Sequence, residues 1–123
     1  MFAVFRTRRF EKEMEKRLSK EEQKKVVGIE RDQLTVHPFV GDPLGYPFFR
    51  EKKIGGKRIY FLIYEDLRSV LMVAISDKKT QQETIDEIKG SLESYFGVVK
   101  EAVKRHGGYG PVSRPQGSRQ ADP

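Results

Sequence analysis

Apolar and polar positions change rhythm several times along the chain. In "FAVFRT" they alternate among β-forming residues, which predicts a first strand over Phe2–Arg6. From Arg8 the spacing lengthens. Phe10, Met14 and Leu18 recur every fourth residue between Glu and Lys, as on one face of a helix. Ser19 followed by Glu22 has capping-box spacing and opens a second helix carrying Val26, Val27, Ile29 and Leu34, which must end before Pro38. Gly28 inside it costs about 1 kcal/mol relative to alanine.

"HPFVGDPLGYP" reads as a loop, since three of its eleven residues are proline and two are glycine. Phe48–Ile54 then alternates imperfectly and runs into Gly55–Gly56, a hairpin signal. Arg58–Tyr64 and Val70–Ile75 are nearly continuous apolar runs around an "EDLR" turn, as in strands covered on both faces. Phe61, Ile63, Leu71 and Val73 are their expected core residues. Thr80 and Glu83 repeat the capping-box spacing. Ile85, Ile88, Leu92, Phe96, Val99 and Val103 follow at steps of three and four, predicting one amphipathic helix to about Arg105. From His106 the chain has no periodicity and much Gly, Pro and Ser. The division is a domain over 1–105 and a flexible tail over 106–123. The order β-α-α-β-β-β-α makes an α+β domain with an antiparallel sheet, an N-terminal helical hairpin and a long C-terminal helix.

Length and composition narrow the chemistry. A chain of 123 residues favours one domain. With 24 Lys and Arg against 18 Asp and Glu it carries +6, which attracts polyanions. The absence of cysteine excludes disulfides and thiolate metal sites. No apolar run approaches the ~20 residues of a membrane span and the N-terminus lacks a signal-peptide pattern, so the expected compartment is the cytoplasm. There is no Ser-His-Asp set, no metal-ligand spacing and no phosphate-binding glycine loop.

The cations are placed unusually. Lys57 and Arg58 precede the first apolar run, and Lys78 and Lys79 follow the second. A core strand needs no charge at its ends, whereas an anion site does. Arg50 and Lys52, two apart on one strand, share a face. Arg58 heads the next strand across the glycine turn, close enough for its guanidinium to meet the same phosphate as Arg50 and Lys52.

With these residues in this order, the chain resembles the RelE/ParE toxin superfamily of type II toxin–antitoxin systems. The resemblance covers roughly residues 2–88. It rests on "RTRRFEKEMEKRL", the loop "HPFVGDPLG", the basic strand and turn "REKKIGGKRIYFLIYED", and "VAISDKK". It implies a ribosome-dependent messenger endonuclease that cleaves RNA without metal or other cofactor and is neutralised by a cognate antitoxin. By the same resemblance Arg58, Lys52 and Lys79 would act in catalysis, and Arg50, Lys53, Lys57 and Lys78 would hold RNA. The implied partners are the antitoxin, at a sheet edge or beside the last helix, and messenger on the ribosome, with no membrane. The chain departs from the family pattern in two places. Ile85 falls near the family tyrosine, and Lys79 stands where an arginine is common. These departures point to the alternatives: a ParE-like or catalytically inactive member that binds a protein such as gyrase, or a solitary RNA- or ribosome-binding module.

Overall fold

The computed structural model describes residues 1–106. Strand β1 (Ala3–Arg6) leads into helices α1 (Arg8–Arg17) and α2 (Lys20–Ile29), the latter continued by a π turn over Glu30–Leu34. A two-residue strand β2 (Asp42–Pro43) and strands β3 (Phe49–Ile54), β4 (Lys57–Tyr64) and β5 (Ser69–Asp77) follow. Helices α3 (Gln81–Lys89) and α4 (Leu92–His106) close the described chain. The proposed tail from 107 onward lies outside the described residues. His106 is the last residue of α4, its ring 5.9 Å from that of Phe5.

The five strands form one sheet in the order β1-β5-β4-β3-β2. Every pairing is antiparallel except β1 with β5. The helical hairpin makes this parallel return possible by carrying the chain across one face. The sheet is buried on both sides. Phe10, Met14, Val26 and Leu34 from the hairpin pack on Ile59, Phe61, Ile63 and Met72. Ile85, Ile88, Val98 and Val99 from α3 and α4 pack on Phe49, Tyr60, Leu62 and Leu71. This double cover accounts for the unbroken apolar runs in β4 and β5. Phe61, Ile63, Leu71 and Val73 are all buried, as expected.

The Ser19–Glu22 capping box is complete in both directions. The Thr80–Glu83 spacing does not form one. Instead Asp77 Oδ1 accepts from both the amide and the hydroxyl of Thr80, at 3.0 and 3.1 Å, closing a turn over Lys78 and Lys79. A second difference concerns the last helix, which is divided at Gly90–Ser91 rather than continuous. The break resets the phase. Tyr95, Val98, Val99 and Ala102 form the buried face of α4, and Phe96 is 43% exposed, stacked on Tyr64.

Helix α1 also guards the sheet. Where β1 ends, Thr7 takes over the edge of β5, its amide donating to the Met72 carbonyl and its hydroxyl to that of Val73. Further along, the amide of Ile75 donates to Glu13 Oε1 at 2.7 Å. Side chains of α1 thus satisfy backbone groups that an open edge would expose. Val73 is the extra residue of a bulge, since Tyr60 faces Ala74 and Phe61 faces Met72.

Candidate nucleic-acid interface

Strand register decides which cations share a face. Lys52 lies opposite Ile59, whose side chain is in the layer beneath the hairpin, while Lys53 lies directly opposite Arg58. Arg58, Tyr60 and Leu62 alternate with Ile59 and Phe61, so Arg58 belongs to the α3–α4 face. The sequence expectation that Arg50, Lys52 and Arg58 converge on one phosphate does not match this geometry. Arg50 and Lys52 share a face, but it is the opposite one.

Two further cations expected to contact RNA are engaged in the fold. Arg50 donates to the carbonyls of Val40, Gly41 and Pro47 at 2.8–3.1 Å and lies over the Phe39 ring. It clamps the proline-rich loop onto β3. Gly41 is held there at φ 75°, with the Glu51 carbonyl 2.2 Å from where a Cβ would sit, so only glycine allows this approach. Lys57 donates Nζ to the carbonyl of Arg17, capping the C-terminus of α1.

Arg58, Lys53, Lys78 and Lys79 remain at one end of the sheet. Arg58 pairs in register with Lys53 on one side and Ser76 on the other, and the turn carrying Lys78 and Lys79 begins one residue after Ser76. Lys53, Lys78 and Lys79 are exposed. The side chain of Arg58 is only 10% exposed, and its Nε is buried without a hydrogen-bond partner. Glu51 Oε1 lies 3.9 Å from that Nε and accepts a 2.7 Å hydrogen bond from Gln81 Nε2. Glu51 was not singled out from sequence. The signal was there, since Glu51 alternates with Lys53 and so shares its face.

Tyr60 adds a buried phenol beside this group, its oxygen 2.7 Å from Ser76 Oγ. Desolvation by burial pushes Tyr60 up to about 12, reinforced by the Glu51 carboxylate and opposed by the Ser76 hydrogen bond and by Arg58. Its proton is therefore retained at neutral pH. Because the folded value is raised, Tyr60's contribution to stability is whole below the ordinary phenol value near 10 and is lost as pH rises through about 12. Phenolate absorbance should show a late step in the folded protein that Tyr60→Phe removes, with no such step in denaturant. A Tyr60 step near pH 10 in the folded protein would contradict this placement. Ile85, near the family tyrosine position, is 7% exposed and packs into the core, where it offers no proton.

A second basic surface was not anticipated. Arg8, Arg9, Lys12, Lys16 and Arg17 line a cleft of about 330 Å³ along α1, with Glu13 among them. Their spacing, Arg8-Lys12-Lys16 and Arg9-Glu13-Arg17, was readable as two helical stripes. Glu13 lies within 3.2 and 3.8 Å of Arg9 and Arg17, so part of this charge is internally balanced.

Among the described residues, no helix is long and apolar enough to cross a membrane. No protein-family model matches the chain, and no curated protein sequence matches it. Among solved structures, the isolated RelE toxin of E. coli is similar, with a TM-score of 0.55 at 14% identity, covering 72% of this chain and 99% of that one. The chain has a RelE-like fold.

Proposed function

We propose that this protein is a RelE-like toxin, a cytoplasmic ribosome-dependent endoribonuclease that cuts messenger and is held inactive by a cognate antitoxin. The observation that carries the reading is the buried Nε of Arg58, which makes no hydrogen bond and has only the 3.9 Å approach of Glu51, set directly across from Lys53 on a fold shared with a toxin. Two cations facing each other across a strand pair repel, and an orphaned buried donor is costly. A bound phosphate would relieve both.

The proposed reaction is attack of a ribose 2′-oxygen on the adjacent phosphorus. The new O–P bond forms as the bond to the 5′-oxygen breaks, leaving a cyclic phosphate and a 5′-hydroxyl. Arg58 stabilises charge on the phosphorane oxygens, and Lys79 neutralises the flanking phosphate. Lys52, assigned from the resemblance to proton transfer, lies on the other face. Glu51 is the carboxylate beside Arg58 and the better-placed proton acceptor. Lys53 and Lys78 hold the strand.

The experiment follows from the register. In equilibrium binding to single-stranded RNA across a salt series, Lys53→Ala should weaken binding and lower the salt slope by about one unit, while Lys52→Ala should leave the slope unchanged. The reverse pattern would move the interface to the hairpin face and refute the assignment.

Buried Ile85 supports a second reading. With no tyrosine there to donate to the leaving 5′-oxygen, the chain would be a catalytically inactive or ParE-like member that acts by binding a protein such as gyrase. A solitary RNA- or ribosome-binding module would keep the same cations without the reaction.

A further inference from the structure

Glu51 and Arg58 stand diagonally on neighbouring strands of the α3–α4 face, Glu51 being opposite Tyr60 and Arg58 opposite Lys53. Both side chains are buried, at 5% and 10% exposure. A carboxylate and a guanidinium this close in a buried setting are expected to close on each other, because a buried charge without a hydrogen bond is costly. Here they stay apart. Arg58 Nε is 3.9 Å from Glu51 Oε1, beyond the reach of a charge-assisted hydrogen bond, and it makes no hydrogen bond at all. The same Oε1 accepts from Gln81 Nε2 at 2.7 Å.

We propose that Gln81 is a positioning residue of the phosphate site: its amide holds the Glu51 carboxylate away from Arg58, which keeps the guanidinium free for an RNA phosphate. The inference rests on the reading of Arg58 as the phosphate-binding cation. The hold comes from outside the sheet. Gln81 is the first residue of α3, and the turn before it is closed by Asp77 Oδ1, which accepts from both the amide and the hydroxyl of Thr80. The Gln81 side chain is half-buried, so its amide reaches Glu51 from a fixed helix start while β4 carries Arg58. With that amide removed, a movement of about 1 Å would bring Oε1 to hydrogen-bond distance of Nε. The result is a closed buried pair that an incoming phosphate would have to break. A single neutral side chain thus decides whether Arg58 faces a carboxylate or a substrate.

The test combines the NMR signal of the Arg58 Nε–H in the protein alone with equilibrium binding to single-stranded RNA across a salt series. Gln81→Met keeps the side-chain volume and removes the donor. It should move the Arg58 signal downfield, as a hydrogen bond to a carboxylate does. It should also weaken RNA binding about tenfold and lower the salt slope by about one unit. Arg58→Ala should add little to that loss, because the cation is already engaged. Glu51→Gln should raise RNA affinity about tenfold more in the Gln81→Met background than in the wild type, since an amide does not neutralise the guanidinium. Gln81→Ala should behave as Gln81→Met, and circular dichroism verifies the folding of each variant. An Arg58 signal that neither Gln81 variant moves overturns the proposal. So does a loss of affinity that Glu51→Gln does not reverse, which would make Gln81 an RNA contact or a structural tether. Arg58→Ala without effect on RNA binding would sink the phosphate site and this proposal with it. An effect of Arg58→Ala beside silent Gln81 variants would sink this proposal alone.

Discussion

Replacing Arg58 by alanine is expected to slow messenger cleavage by about 10²–10³-fold, the loss of about 3–4 kcal/mol that follows removal of one preorganised donor from a developing oxyanion. The thermal midpoint should move little. Arg58 Nε makes no hydrogen bond and only a 3.9 Å approach to Glu51, which keeps its bond to Gln81 when Arg58 is truncated. Arg58→Lys keeps the charge but loses Nε and the planar fork, so it should recover binding better than rate. Single-turnover cleavage on programmed ribosomes separates the two. Equal losses of binding and stability with no separate effect on rate would make Arg58 a structural cation.

The largest stability effect is expected at a pair far from this end. Arg6 donates to both oxygens of Glu30, from Nε at 2.8 Å and from Nη2 at 2.6 Å, and the Glu30 side chain is wholly buried. Burial pushes the Glu30 carboxyl up, against the downward pull of Arg6. Glu30→Ala would remove both charge-assisted hydrogen bonds from a largely buried guanidinium, leaving it only the 3.6 Å approach of Glu11, and should cost about 3 kcal/mol, a sizeable part of the ~5–15 kcal/mol that a domain commonly has. Arg6→Met combined with Glu30→Leu should recover most of that loss, because it removes both charges and leaves apolar volume. Denaturant melts of the single and double variants measure this directly. A single-variant loss below about 1 kcal/mol would show that the pair is solvated.

Periodicity carried most of the fold. The hairpin at Gly55–Gly56, the Ser19 cap and the apolar strands were legible because each rests on local spacing. The parallel place of β1 beside β5 was not, since it depends on contacts between residues more than sixty apart. The break at Gly90–Ser91 hid inside a spacing that fits either phase, and Phe96 consequently faced outward. At the candidate site, residue types were legible and faces were not. Alternation alone put Arg50 with Lys52, but which of these faces Arg58 shares depends on a register that the turn sets. Glu30 was invisible for a different reason. A buried carboxylate looks like any surface glutamate until its arginine, 24 residues earlier, is brought against it.

Primer extension on messenger from cells expressing the protein tests the central claim most directly. The account predicts new 5′ ends within translated coding sequence, present with wild type and absent with Arg58→Ala. Growth arrest with intact messenger, undiminished by Arg58→Ala, would contradict it.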